Sequence, residues 1–413
     1  MYPKMTNPIR KLKLRRRAFT WAAAAHLFGN PSAKMKVVGV TGTNGKTTTA
    51  MLLYRVAEAL GHRAGLIGTV VNKAGKRNFP AIHTTPDPLY LNTLLREMLR
   101  QKCEYVFMEV SSHALDQKRT AGVKFAGGIF TNLTHDHLDY HKNLENYFKA
   151  KKKLFESLSP DAFALSNADD GYGARMLSGI RGRKFFYGFE NRSDFFGKLE
   201  KMDFSGLTLL LNGQEIRTKL LGKFNAYNLL AVASACQLLG FEMKKVAEIL
   251  ENIEPPPGRF EHFLSPAGAL VVIDYAHTPD ALEKVLLTAR EIKSGAGRLI
   301  SVFGCGGDRD PLKRSKMGKI GAELSDIAIF TSDNPRSEDP NKIIEEMRAG
   351  VPMELSARVK IVPDRREAIR ESLRLSGRGD IILCAGKGHE DYQEVNGKRS
   401  HFNDIEEYKK HCT

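Results

Sequence analysis

The sequence predicts an α/β protein: a P-loop-type parallel sheet followed by a second, Rossmann-like doubly wound sheet. Three observations predict it. The β-branched run Val37 to Val40 breaks into Gly-Thr-Asn-Gly-Lys-Thr-Thr and then into the apolar spacing of a helix. Strand-like and helical stretches alternate on both sides of Glu254-Pro255-Pro256-Pro257-Gly258-Arg259, a stiff connector. A chain of 413 residues is also longer than one hydrophobic core usually supports. The expected divisions are a basic arm over 1–34, a central domain over 35–254 and a C-terminal domain over 255–413.

The arm carries Lys4, Arg10, Lys11, Lys13, Arg15, Arg16, Arg17 and Lys34 and no acid, half of the net charge of +16. Trp21 to Phe28 imitates the apolar part of a signal peptide, but it is short and interrupted by His26. The expectation is either a short amphipathic helix touching anionic lipid or a phosphorylated ligand, or a solvated basic arm. No run approaches the roughly 20 apolar residues of a membrane span. Cys103, Cys236, Cys305, Cys384 and Cys412 are scattered and odd in number, which argues against a disulfide framework and for a reducing, cytoplasmic compartment.

The first strand is expected over 36–41. After it, Gly42, Thr43, Asn44, Gly45, Lys46, Thr47 and Thr48 form a glycine turn into a helix N-terminus. Such a corner surrounds a phosphate with backbone N–H groups and places a helix dipole behind them. Lys46 is suited to the terminal phosphates and the Thr47 hydroxyl to Mg²⁺. The usual motif has glycine where this chain has Val40. A strand over 105–111 delivers Glu109, a second candidate for the magnesium, and one over 127–133 ends in Thr134-His135-Asp136-His137-Leu138-Asp139-Tyr140-His141. Tyr140 breaks the spacing of a dizinc hydrolase, so a single imidazole, His137, assisting magnesium is the better reading. In Lys151-Lys152-Lys153, composition alone suggests only a solvated helix face. Asn212-Gly213 marks a hairpin between 207–211 and 215–221, and two helices follow over 226–239 and 243–252.

Beyond the connector, strands are expected over 270–275, 298–305, 326–332, 359–362 and 380–385. Four of them end in polar, glycine-containing or proline-containing loops: the one holding His277, then Gly304 to Asp310, Asp333 to Pro340 and Ala385 to Glu390. One ligand-binding rim is implied. Arg309, Arg336 and Glu390 together suit a molecule bearing both carboxylate and amine, and an amino acid is the simplest.

Taken together, Gly-Thr-Asn-Gly-Lys-Thr-Thr, Met-Glu-Val-Ser-Ser-His, Thr-Asn-Leu-x-x-Asp-His-Leu-Asp-Tyr-His, Asp-Tyr-Ala-His-Thr-Pro-Asp and Asp-Asn-Pro-Arg resemble the Mur ligases of peptidoglycan synthesis, over residues 35–410 and in collinear order. Within them the resemblance is to the tripeptide-forming type. It implies a monomeric cytoplasmic ligase that uses ATP and Mg²⁺ to add meso-diaminopimelate to UDP-MurNAc-L-Ala-D-Glu through an acyl phosphate. It implies Lys46, Thr47, Glu109 and His137 at the phosphates and metal, and Lys151 as a carbamylated lysine supporting a second magnesium. Thr84, Thr85, Ser111, Gln117 and Arg119 match acceptor-binding positions; Asn225, Asn228 and His277 match nucleotide contacts. Arg309, Asn334, Arg336, Gly386 and Glu390 match the grip on the incoming amino acid, where Arg336 favours diaminopimelate over L-lysine. Typical relatives carry an N-terminal UDP-gripping domain, whereas this chain has some 34 residues before its first strand. UDP is then expected on the arm and central domain, or a different handle is used. The competing readings are a folylpolyglutamate-like or L-lysine-adding ligase, a metal-dependent hydrolase built on the His135–His141 cluster, and a non-catalytic protein using its arm on nucleic acid. The intact lysine, glutamate and histidine set disfavours the last, so no nucleic-acid partner is expected.

Overall fold

The computed structural model describes residues 25–293 and 295–412. Most of the expected basic arm lies outside the described residues; of the helix expected from Trp21, residues 25–27 are helical. The described chain forms two compact units. One holds the residues up to Glu200 with Thr208–Thr218 and Phe224–Ile253, and the other holds Lys201–Leu207, Lys219–Lys223 and the chain from Glu254 onward.

In chain order the first unit contains β1 (Lys36–Thr41), α1 (Lys46–Ala59), β2 (Ala64–Ile67), β3 (Asn72–Ala74), β4 (Arg77–Phe79), α2 (Pro88–Arg100), β5 (Tyr105–Glu109), α3 (Ser112–Asp116), β6 (Phe125–Phe130), α4 (Leu138–His141), α5 (Leu144–Glu156), β7 (Phe163–Asn167), α6 (Gly173–Leu177) and β8 (Arg183–Gly188). Three strands and two helices follow: β9 (Phe195–Asp203), β10 (Gly206–Leu211), β11 (Gln214–Thr218), α7 (Lys223–Leu239) and α8 (Met243–Glu251). The strands make one 11-stranded sheet in the order β11-β10-β9-β8-β7-β6-β1-β5-β2-β3-β4. It is parallel from β9 through β2, and β3 and β4 turn antiparallel at the edge.

A parallel sheet covered on both faces needs strands apolar on both sides. β5 and β7 are buried at every position. Val37, Val106, Met108, Phe130, Leu154 and Phe155 pack into one core. Register then positions the chemistry: Val40 lies beside both Glu109 and Ile129, so the ends of β1, β5 and β6 come level at one edge of the sheet. Capping separates α1 from its neighbours. The Asp87 carboxylate accepts from Leu89 N and Tyr90 N at 3.0 and 3.1 Å, and the Asn143 side chain accepts from Asn146 N at 2.9 Å. α1 has no side-chain cap. The hairpin expected at Asn212-Gly213 forms, with both residues at positive φ.

The second unit contains β12 (Glu261–Leu264), β13 (Leu270–Asp274), α9 (Pro279–Ile292), β14 (Leu299–Phe303), α10 (Leu312–Leu324), β15 (Ile327–Phe330), α11 (Pro340–Arg348), β16 (Val359–Ile361), α12 (Arg365–Leu375), β17 (Ile381–Ala385), β18 (Tyr392–Val395), β19 (Lys398–His401) and α13 (Asp404–Lys410). Its six-stranded sheet runs β12-β13-β17-β14-β15-β16, parallel except for the antiparallel edge β12. Insertion of β17 between β13 and β14 reverses the winding there, the place where open α/β sheets bind ligands. The sequence reading missed β12 and the β18–β19 hairpin. Both are short and half-buried or exposed throughout, so neither shows the unbroken apolar run that marks a central strand. Arg365 and Asp404, both fully buried, form a bidentate pair at 2.7 Å on each arm, and Arg365 also donates to Ala385 O at 3.1 Å. The end of β17, and the loop that leaves it, is thereby tied to α12 and α13.

Candidate active site

The turn between β1 and α1 is closed by the loop after β6. Thr43 N donates to Asn132 O at 2.8 Å, Asn44 N donates to Asn132 Oδ1 at 2.9 Å, and the Thr131 hydroxyl donates to Asn44 O at 2.6 Å. Gly45 holds a φ of 84°, and a Cβ there would overlap the Asn228 carboxamide oxygen, so only glycine fits. Asn228 is buried on α7 and donates to Asn225 Oδ1 at 3.1 Å. Thr43, Thr47 and Thr48 are buried around the turn. A helix N-terminus without a side-chain cap, behind a glycine corner, has the make-up that suits an anion.

Two lysines meet at this turn. Lys46 Nζ donates to Gly42 O at 2.8 Å and to Thr43 O at 2.7 Å. Lys151, on α5, donates to the same Gly42 O at 2.6 Å and is 1 % exposed. Composition placed the lysine triplet on a solvated face; only Lys152 and Lys153 keep partial exposure, because α5 turns Lys151 inward beside Tyr147, whose ring centroid lies 4.3 Å from Nζ. Burial and the neighbouring Lys46 charge hold the Lys151 ammonium well below the usual lysine range. That shift runs toward the neutral amine, the form of a lysine that reacts with CO₂.

Glu109 ends β5 with 2 % exposure. Its carboxylate accepts from the Thr47 hydroxyl at 2.8 Å, from Thr69 N at 2.7 Å and from the Thr69 hydroxyl at 3.2 Å. Among the described residues no lysine or arginine pairs with it. A buried carboxylate ringed by neutral donors beside a phosphate loop, with the Thr47 oxygen next to it, fits a hard divalent cation.

The loop after β6 leads to His137, which stands at a φ of 54°. Its ring lies 4.8 Å from that of His113. His141, pushed down to about 4 by burial, sits with Nε2 3.0 Å from the Ser112 hydroxyl. Burial also lowers His113 and His137. These rings pack at edge-on and tilted angles against one another and against Tyr140 and Tyr147. Among the described residues no three His, Cys, Asp or Glu side chains converge as a metal cage.

The five expected acceptor-binding residues share one network beside Glu109. The Thr85 hydroxyl donates to Glu109 O at 2.9 Å and accepts from Ser111 N at 3.0 Å. The Thr84 hydroxyl lies 3.0 Å from that of Thr69. Arg119 donates to Thr85 O at 2.9 Å and, through two nitrogens, to Gln117 Oε1 at 2.9 and 2.7 Å. The guanidinium is thus fixed before any ligand arrives.

In the second unit the loops after β14, β15 and β17 gather the remaining candidates. Asn334 is 2 % exposed and donates from Nδ2 to Glu390 Oε2 at 2.8 Å. Burial and then Asp333 raise the Glu390 carboxyl above its ordinary range. Arg336 sits at a φ of 52°, held by Arg336 N donating to Glu394 O at 3.0 Å and by Asn396 N donating to Arg336 O at 2.6 Å. Its Nη1 donates to Gly307 O at 2.7 Å. Arg309 is exposed on the same loop as Gly306. Gly386 has a φ of 112° and a Cβ there would lie 2.7 Å from Asp333 Oδ2. His277, after β13, has Nδ1 2.8 Å from Tyr275 O; it belongs to the second unit, while the phosphate loop belongs to the first. Sequence reasoning did not single out Thr69, Thr131, Asn132 or Lys387. Thr131 and Asn132 open the motif that holds His137, and Lys387 lies in the loop from Ala385 to Glu390, but no role was read for them, since a hydroxyl, an amide or a lysine carries no periodic signal; Thr69 lies in no motif.

Residues 40–236 match the family model described as Mur ligase middle domain, and 258–388 match that described as Mur ligase, glutamate ligase domain. The UDP-N-acetylmuramoyl-L-alanyl-D-glutamate–2,6-diaminopimelate ligase of Parabacteroides distasonis is 49% identical over 379 residues, 92% of this chain and 78% of that protein. A solved structure of a ligase of that same name superposes with a TM-score of 0.66 at 36% identity, covering 91% of this chain and 78% of the other. Folylpolyglutamate synthase of Mycobacterium tuberculosis gives a TM-score of 0.68 at 17% identity, covering 89% of this chain and 92% of the other, a likeness of fold alone.

Proposed function

The chain belongs to the Mur ligase family of ATP-dependent amide-forming ligases, and from that premise we propose that it adds meso-diaminopimelate to the D-Glu γ-carboxylate of UDP-MurNAc-L-Ala-D-Glu in the cytoplasm. One observation carries the reading most: Lys46, Lys151 and the Thr47–Glu109 pair converge on a single glycine corner.

A carboxylate is a poor electrophile because its oxide is a poor leaving group. The γ-carboxylate oxygen attacks the γ-phosphorus and ADP departs. The diaminopimelate amine then attacks the acyl carbon, phosphate departs, and the amine proton is released to solvent. The first unit serves the activation. Backbone N–H groups of the turn and Lys46 hold the phosphates, while Arg119, fixed by Gln117, and Thr84, Thr85 and Ser111 orient the acceptor. Thr47, Glu109 and His137 are the residues that would hold Mg²⁺, with Lys151 as its carbamate supporting a second ion. Bound there, magnesium offsets the repulsion between carboxylate and γ-phosphate. Asn225, Asn228 and His277 are the expected nucleotide contacts.

The second unit serves the amine. Glu390 and Asn334 suit an ammonium and a carboxylate on one carbon, and Arg336 with Arg309 suits a distal carboxylate, which L-lysine lacks. The test is ATP-dependent phosphate release with UDP-MurNAc-L-Ala-D-Glu against a panel of free amino acids. Release is expected with meso-diaminopimelate and at least about tenfold less with L-lysine, the loss of one charged hydrogen-bonding group. Equal turnover with both would overturn the assignment of Arg336.

A further inference from the structure

Lys387, in the turn that leaves β17, is the second unit's fully buried ammonium, at 0 % exposure. Its Nζ donates to Asn334 Oδ1 at 3.2 Å and lies 3.5 Å from Glu390 Oε2. Asn334 Oδ1 accepts a second hydrogen bond, from Glu394 N at 2.9 Å. An ammonium and a backbone N–H are both obligate donors, so the atom between them must be the oxygen. The carboxamide therefore cannot flip, and its Nδ2 is committed to Glu390 Oε2 at 2.8 Å.

The local backbone makes this arrangement compact. Glu390 N donates to Lys387 O at 3.0 Å, closing a turn that brings both side chains to Asn334. Gln393 donates to Asp333 O at 2.8 Å, so the strand carrying Glu394 also braces the residue before Asn334. The charges facing this point include the carboxylates of Asp333 and Glu390, with Tyr275 and Tyr392 around Glu390 and Arg259, Arg336, Glu394 and Arg399 beside those rings. Without Lys387, Asp333 and Glu390 would face one another with one fewer cation, and the Glu394 N–H alone would hold the Asn334 oxygen.

We propose that Lys387 is a positioning residue for selection of the incoming amino acid: it locks the Asn334 carboxamide and thereby aims the Glu390 carboxylate. The proposal rests on the second unit holding that amino acid. Lys387 touches neither nucleotide nor acceptor in this scheme, so its removal acts on one substrate only.

The experiment is a double-mutant cycle on the full-length chain with Lys387→Met and Asn334→Ala, reading KM for meso-diaminopimelate, KM for ATP and kcat. Lys387→Met is expected to raise the diaminopimelate KM about tenfold or more while the ATP KM stays within about twofold. In the Asn334→Ala background the same change is expected to add less than about twofold, because the two residues act as one. Full additivity, an unchanged diaminopimelate KM, or an equal rise for ATP each overturns the proposal. Lys387→Gln is the second variant, expected to shift KM in the same direction. If neither variant folds, as judged by thermal melting, the lysine is structural and the proposal falls. Wild-type protein that turns over no amino acid removes the functional reading as well, whereas normal wild-type turnover with an unmoved variant KM removes this proposal alone. Should wild type use a different amino acid, the same cycle is read on that one.

Discussion

Each of the two units buries a lysine, and the two lysines keep different company. At the phosphate loop, Lys151 shares the Gly42 carbonyl with Lys46, and burial with that second cation outweighs the opposing charge of Asp136. At the end of β17, Lys387 has Glu390 at 3.5 Å and the Asn334 oxygen at 3.2 Å. A buried cation set against another cation is driven toward its neutral, reactive form; one set against a carboxylate becomes a clamp. The same side chain at nearly the same exposure thus suits chemistry in one place and geometry in the other. The acids differ in the same sense. Glu109 is surrounded by hydroxyls and an N–H beside an anion site, whereas Glu390 is already engaged by Asn334.

The contrast can be broken in order of expected effect. Lys46→Ala should lower phosphate release about a thousandfold or more, since the proposed role of Lys46 is to place its charge at the transferring phosphoryl group; a fall below tenfold, measured by coupled phosphate assay, would return Lys46 to a structural role. Lys151→Ala should cost about a hundredfold, a loss that added bicarbonate does not restore. Labelled bicarbonate should give a carbamate resonance in wild type that is missing from Lys151→Arg. Arg336→Ala should raise the diaminopimelate KM about 10- to 100-fold and leave the ATP KM nearly unchanged. The smallest effect concerns pH. Glu390 is held above the ordinary glutamate range, and its charged form is the one that accepts from an ammonium. Activity should therefore fall as pH drops through that raised value, giving kcat/KM for diaminopimelate an acid limb above the ordinary carboxylate range. Glu390→Gln should flatten that limb; an unchanged limb would assign it to another group.

β1, β5, β6, the parallel strands of the second sheet and the glycine corner were legible because each carries a pattern: a buried parallel strand is an apolar run, and a phosphate turn needs glycine and lysine at fixed spacing; β2, β7 and β8 of the first sheet were not read. The hairpin at Asn212-Gly213 was legible for the same reason. β12 and the β18–β19 hairpin were not, since short edge strands half in solvent look like loops. At the site, the resemblance supplied what composition could not. Lys151 reads as one of three solvated lysines until α5 is seen to turn it inward. Lys387 was invisible for the converse reason: its meaning comes from Asn334, 53 positions earlier in the chain. Contacts across such separations depend on where β15 and β17 sit in the sheet, and no local spacing encodes that.

The central claim is that acid activation belongs to the first unit's residues and amine selection to the second's. Positional isotope exchange in oxygen-labelled ATP, followed with the acceptor UDP-MurNAc-L-Ala-D-Glu and no amino acid present, tests it most directly. Exchange that persists in Arg336→Ala and disappears in Lys46→Ala is the predicted result. Exchange lost in Arg336→Ala, or retained in Lys46→Ala, would contradict the account.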